Sequence, residues 1–226
     1  MRLLPRRGPA ATTFQQSSWP APATPWREAR WCALDLELTG LNPRKDVIIA
    51  VGAVPIEDGV VQLGQSFYSL VRTLKRSERA AVLLHKLLVS DLEAAPSQED
   101  VLEQIFELLG GRVPVFHAAA VERAFLGPLF ARHRVRLPDA ADTEVLGRRL
   151  LRAREDDAPD WLSLERLAGM LGQPGELPHH ALGDALATAQ AFVALATHLD
   201  RIRPQTVGSL VQTVEVSYRL GRFGPT

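Results

Sequence analysis

An apolar run that ends in two carboxylates constrains this chain more than any other feature. Trp31-Cys32-Ala33-Leu34 reads as a buried strand that continues through Asp35-Leu36-Glu37-Leu38 into the loop Thr39-Gly40-Leu41-Asn42-Pro43. On an extended backbone, side chains two residues apart point to the same face. Asp35 and Glu37 therefore put two negative charges on one side of a sheet, beside apolar packing. Burying them is costly unless something positive joins them. A divalent metal is the simplest partner, because hard cations such as Mg2+ take oxygen ligands. Taken alone, a D-x-E pair at a strand end is more often solvated or salt-bridged than metal-bound.

A second feature, far along the chain, changes that balance. The run Leu177-Pro178-His179-His180-Ala181-Leu182-Gly183-Asp184-Ala185 leads into a stretch with Leu182, Leu186, Ala189, Phe192, Val193 and Ala196 at helical spacing. Asp184 falls near the helix start and His179 in the loop before it. A carboxylate so placed can face an upstream D-x-E pair across a cleft.

Together, D-x-E-x-T-G on a first strand and H-x-A-x-x-D-A opening a late helix resemble the DnaQ-like 3′–5′ exonucleases with a terminal histidine. Asp46 to Val54 is similar to that family's second strand, Phe67 to Arg72 to its third, and Asp142-Thr143 and Ser163 to Ala168 to its late strand and helix. The resemblance runs roughly from Trp31 to Leu199. One motif departs from the pattern. Where the family has H-N-x-x-F-D, this chain has His117-Ala118-Ala119-Ala120-Val121-Glu122, with Phe125 and Leu126 following. Ala118 stands in the usual Asn position and Glu122 in the usual Asp position, which keeps the charge and adds one methylene.

The resemblance implies a metal-dependent 3′–5′ exonuclease acting on single-stranded DNA or RNA 3′ ends, with two Mg2+ or Mn2+ ions as cofactors. It implies that Asp35 bridges the ions, that Glu37 and Asp184 complete the first site, that Glu122 lies near the second, and that His179 takes a proton from water. His180 is expected to be a solvent-facing neighbour. Leu38 and Thr39 are expected to touch substrate, Leu38 against the last base and the backbone near Thr39 at its sugar. His117 matches the middle motif and is expected in the substrate site. His85-Lys86-Leu87-Leu88-Val89-Ser90 loosely resembles a family element that contacts the terminal nucleotide. The alternative there is a helix that packs Leu83, Leu84, Leu87 and Leu88 and leaves His85 outside. The departures at Ala118 and Glu122 keep a second reading open, a nucleic-acid-binding domain that retains the fold with weakened or lost chemistry, because Mg2+ tolerates little departure from octahedral geometry.

Composition sets limits on partners. The 226 residues, 46% of them hydrophobic, suit one core with appendages. A balance of 26 basic and 26 acidic residues excludes a strongly cationic clamp for nucleic acid. Arg132, Arg134, Arg136, Arg148, Arg149, Arg152 and Arg154 make basic stretches around Asp142 that suit either a solvated helix face or a phosphate path. The lone Cys32, in the apolar first strand, excludes an internal disulfide and fits a reducing, cytoplasmic setting. No apolar run is long enough to cross a membrane.

The expected fold is a ribonuclease H-like α/β arrangement, a mixed sheet with helices packed on it. Strands are expected at 31–36, 47–56 and 60–71, the last two joined by the hairpin signal Asp58-Gly59. A helical region follows over 77–109, its second part opened by Ser97 and Asp100 at capping-box spacing. Then come a strand at 113–117, a helix over 119–133, a short strand ending near Asp142, and helices over 143–153, 163–171 and 181–199. Residues 1–29, rich in Pro, Ala and Ser, read as a flexible leader, with Trp19 and Trp26 free to dock on the domain or a partner. The exonuclease domain is expected over 30–200. The apolar tail at 201–226 suits three roles: finishing the core, binding a polymerase subunit, or pairing with a second copy to form a homodimer.

Overall fold

The structure is a computed structural model, and it describes residues 8–173 and 179–211. Strand β1 (Trp31–Leu38) lies antiparallel to β2 (Ile48–Glu57), with Asp35 opposite Gly52 and Glu37 opposite Ala50. Asp58 and Gly59 both adopt positive φ, 54° and 71°. That is the backbone a tight two-residue hairpin demands, and it returns the chain as β3 (Val60–Val61). The expected third strand is interrupted there. A 3-10 turn at Leu63–Gln65 splits it, and β4 (Phe67–Leu70) pairs separately with β2. Strands β5 (Val113–Phe116) and β6 (Ala141–Asp142) add in parallel on the other side of β1, giving the order β3-β2-β1-β5-β6 with β4 beside β2.

Alternation along β1 divides the two cores. Cys32, Leu34, Leu36 and Leu38 point into one cluster, built with α1 (Pro9–Gln16), α4 (Gln98–Leu109) and α5 (Ala120–Arg132). Trp31 and Ala33 point into the other, with α6 (Thr143–Ala153), α7 (Leu164–Met170) and the long α8 (Ala181–Ile202). The period-2 rule then puts Asp35 and Glu37 on the α8 side. Cys32 is fully buried, and burial pushes its thiol up to about 12, consistent with a packing residue.

Three expectations are corrected. Residues 8–29 are not a free leader. Pro9 opens α1, where its missing N–H is no loss. Phe14 of that helix packs on Phe106 and Phe130 at 5.4 and 5.7 Å. Trp26 is buried edge-on against Phe192, and its carbonyl accepts the Trp31 indole N–H at 2.8 Å. Aromatic burial overrode the disorder-like composition. Second, the single helical region at 77–109 is three helices. The first is α2 (Arg79–His85), ended by Lys86 in the left-handed region, followed by α3 (Val89–Leu92) and α4. The capping box at Ser97 and Asp100 forms as its spacing predicts. Third, Arg148 is buried and Arg149 half-buried, each held by contacts within the fold. Arg148 lies beside the buried Glu144 and donates to the Asp160 carbonyl; Arg149 donates to the Ser209 carbonyl and to Gln205. These contacts tie down α9 (Val207–Val211), whose Val207 and Leu210 are buried, so this part of the tail finishes the core. Val214, Val216, Tyr218, Leu220 and Phe223 lie outside the described residues. No helix among the described residues is long and apolar enough to cross a membrane.

Candidate active site

Gly52 lets the site assemble. A Cβ built there would lie 2.1 Å from the Ala181 carbonyl oxygen and 2.4 Å from the Leu182 nitrogen. The start of α8 therefore rests directly on the backbone of β2, one strand over from Asp35. The first turn of α8 carries Asp184, so the helix delivers a third carboxylate to the D-x-E face. Among the described residues, Asp35, Glu37 and Asp184 each offer an oxygen within 4.8 Å of the others, and all three are half-buried.

The electrostatics record the crowding. Burial first, and then the charges of Glu122, Asp184 and Glu37, hold Asp35 well above its ordinary value. Burial and Asp184 push Glu37 up to about 7. Burial also raises Asp184, against the opposing pull of the His179 N–H, which donates to its Oδ2 at 3.0 Å. Glu122, in the first turn of α5, is not part of the close group of three. Its charge is nevertheless the largest Coulombic perturbation on Asp35. Glu122 itself is pushed up to about 8, chiefly by burial, and its Oε2 is buried with no hydrogen-bond partner among the described residues.

Asp142 holds the loop that leads to Glu122. Its carboxylate accepts the backbone N–H groups of Ala118 and Ala119 at 3.2 and 2.9 Å, and caps α6 by accepting those of Glu144 and Val145. Burial still raises it to about 6. Beyond its place in the family pattern, Asp142 carries a local signal of this role, since an Asp just before a helix is a capping residue. Ala118 sits at φ +56°, where Asn and Gly are tolerated and a Cβ costs about 1 kcal/mol. The Asn expected from the family resemblance suits that backbone. Ala118→Asn is expected to stabilise the fold by about 0.5–1 kcal/mol, read as a rise of roughly 1–4 °C in Tm. A fall in Tm would mean that the space around residue 118, and not its backbone, selects alanine.

The residues expected to touch substrate are placed differently. Leu38 is a core residue at 8% exposure, and Thr39 is fully buried. The Thr39 hydroxyl pairs with Asp46 and accepts the Val47 N–H; its own N–H goes to the Val47 carbonyl and its carbonyl to the Glu78 N–H. Leu38 thus packs into the core, and the polar groups of Thr39 close the loop on itself. His85 is buried at the end of α2, its Nδ1 accepting the Leu87 N–H at 2.9 Å, while Leu83 and Leu88 are 71% and 55% exposed. That reverses the packing expected of a simple amphipathic helix. Burial lowers the His117 ring to about 4, and its Nδ1 pairs with Thr143 at the start of α6. His117 thus braces the strand end before Glu122. His179 is exposed, in the left-handed region at φ +62°.

The sequence profile of the exonuclease family matches residues 32–192. The DNA polymerase III subunit epsilon-like protein of Rhodobacter capsulatus is 31% identical over 202 residues, covering 88% of this chain and 28% of that protein. The PolC-type DNA polymerase III of Thermotoga petrophila is 30% identical over 180 residues, covering 78% of this chain and 12% of that protein. The chain thus spans under a third of the length of either relative. Among solved structures, E. coli Exonuclease I in complex with a dT13 oligonucleotide superposes with a TM-score of 0.65 at 17% identity, over 77% of this chain and 42% of that one. That likeness is one of fold: a mixed sheet with helices packed on it. With the profile match extending over most of the sequence, the chain belongs to the exonuclease family, as a DnaQ-like domain on the ribonuclease H-like fold.

Proposed function

We propose that this domain is a divalent-metal-dependent 3′–5′ exonuclease that removes nucleotides from single-stranded DNA or RNA as 5′-monophosphates. The observation that carries the reading is the convergence of Asp35, Glu37 and Asp184 from β1 and α8. Three crowded carboxylates with raised proton affinity, and a fourth whose buried oxygen has no hydrogen-bond partner among the described residues, suit hard divalent cations. Asp35, Glu37 and Asp184 would hold Mg2+ or Mn2+, with Glu122 serving a second ion. When bound, the ions supply positive charge at the attacking and leaving oxygens of the phosphodiester.

The remaining work falls to the chain's own groups. His179, exposed beside Asp184, takes a proton from the attacking water at its imidazole. Water adds at phosphorus as the bond to the 3′-oxygen breaks; that oxygen takes a proton from solvent, giving a new 3′-hydroxyl, and a nucleoside 5′-monophosphate is released. The His179 N–H keeps the Asp184 carboxylate aimed at its neighbours. His179→Ala is expected to lower kcat on the order of 10²–10⁴-fold while leaving Mn2+ binding intact. An unchanged rate would remove His179 from the chemistry.

The direct test is a 5′-labelled single strand incubated with Mg2+ or Mn2+. A ladder shortening one nucleotide at a time, stopped by a blocked 3′ end and by chelation, is the expected result. Internal cuts, or cleavage indifferent to the 3′ block, would sink the reading. Matched DNA and RNA strands in the same assay decide the sugar preference. The polymerase III names of the relatives make a DNA polymerase the first partner to try, by co-elution of the full chain with its catalytic subunit.

A further inference from the structure

His180, expected as a solvent-facing neighbour, is exposed, and the structure also gives it two partners. It is the N-cap of α8, its Nδ1 accepting the Gly183 N–H at 3.4 Å. Its ring also lies nearly flat on Tyr68 of β4, with centroids 4.7 Å apart and 20° between the planes. Tyr68 is the register partner of Gly52, which is the register partner of Asp35. Directly opposed residues share a face of the sheet, so the Tyr68 ring stands in the same row as the catalytic carboxylates. Burial first, and the charge of Glu37 second, hold its phenol above its ordinary value.

His179 is caught between these attachments. Its left-handed backbone has His180 on one side, and its N–H is committed to Asp184. Where its imidazole hangs is therefore set by whatever fixes His180. We propose that Tyr68 is a positioning residue: by stacking on His180 it fixes the turn that presents the His179 imidazole. The proposal rests on the reading of His179 as the proton acceptor. Tyr68 touches no reacting atom in this role, and what it supplies is a flat ring, so phenylalanine should serve where alanine fails.

The test pairs kinetics with spectroscopy on the full chain. The kinetics give kcat and KM for a 5′-labelled single strand with Mn2+. The imidazole NMR signals of the six histidines are assigned using His179→Ala and His180→Ala. Tyr68→Ala is expected to lose roughly 10–100-fold in kcat with KM nearly unchanged, the cost of a misplaced group. Tyr68→Phe should rescue that loss. In a His179→Ala background, Tyr68→Ala should cost less than about threefold more, since it acts through His179. The His179 and His180 signals should move toward those of a free histidine, while those of His117 and His133 hold still and report an intact fold. Undisturbed His179 signals would overturn the proposal. So would a full loss persisting without His179, or a loss confined to KM, which would make Tyr68 a substrate contact. If the native chain shortens no strand, the proton-acceptor reading fails, and the histidine signals alone still decide whether Tyr68 holds the turn.

Discussion

Gly52→Ala is expected to destabilise the protein by roughly 1–3 kcal/mol and to lower the nuclease rate on the order of 10²-fold. The added methyl meets main chain on α8, with the Ala181 carbonyl carbon at 2.2 Å and its oxygen at 2.1 Å. No rotamer relieves a clash between Cβ and backbone, so the helix or the strand must shift by about 1 Å or more before contact distances become ordinary. Because Gly52 faces Asp35 and α8 carries Asp184, that shift opens the carboxylate group directly. Urea unfolding and a single-turnover assay read the two effects. Gly169→Ala, in α7, is the control, since nothing lies within 4 Å of a Cβ there, and an added helix former should stabilise slightly. If Gly52→Ala behaves like Gly169→Ala, the close approach of α8 is not what assembles the site.

The second large effect is a loss of stability with rising pH in the metal-free protein. Glu122 and Glu37 ionise near 4.5 when unfolded, and in the folded chain they are raised to about 8 and about 7. Between those limits the folded state binds more protons than the unfolded one, so stability falls as pH rises. Their contribution is fully present below about pH 4.5 and is lost through pH 7 and 8. With chelator present, a loss of order 2–4 kcal/mol is expected between pH 5 and pH 8.5, measured by denaturant unfolding. Glu122→Gln should flatten that slope, and Mg2+ or Mn2+ should restore more stability at pH 8.5 than at pH 6. Asp35→Asn should combine both signatures, raising metal-free stability at pH 8.5 while cutting the nuclease rate by more than ~10³-fold. Stability that climbs from pH 5 to pH 8.5 would mean that these carboxylates are ionised and internally paired.

The carboxylate face could be read from the chain because it depends on local rules. Alternation along Trp31 to Leu38 sends Asp35 and Glu37 to one side whatever the rest of the fold does. The capping box at Ser97 and the hairpin at Asp58-Gly59 are equally local. Side chains whose roles depend on distant packing were not legible. Thr39 looks like an exposed loop residue until Asp46 and Val47 close over it. His85 looks like the outer face of a helix until tertiary packing buries it and exposes Leu83. Gly52 did leave a trace, as a glycine inside the strand run Val51-Gly52-Ala53, where close backbone approach is the usual reason. The Tyr68–His180 stack left none, since nothing in either residue's neighbourhood announces the other.

The aromatic anchoring of Phe14 and Trp26 bears on how this domain travels as a unit. The stretch that carries the family pattern begins at residue 32, yet the side chains beneath Phe106, Phe130 and Phe192 come from before it. A fragment cut at the start of β1 would keep Asp35, Glu37, Glu122 and Asp184 and leave both hydrophobic clusters partly unroofed. The piece that evolution or a gene fusion can transplant in working order is therefore longer than the piece that does the chemistry.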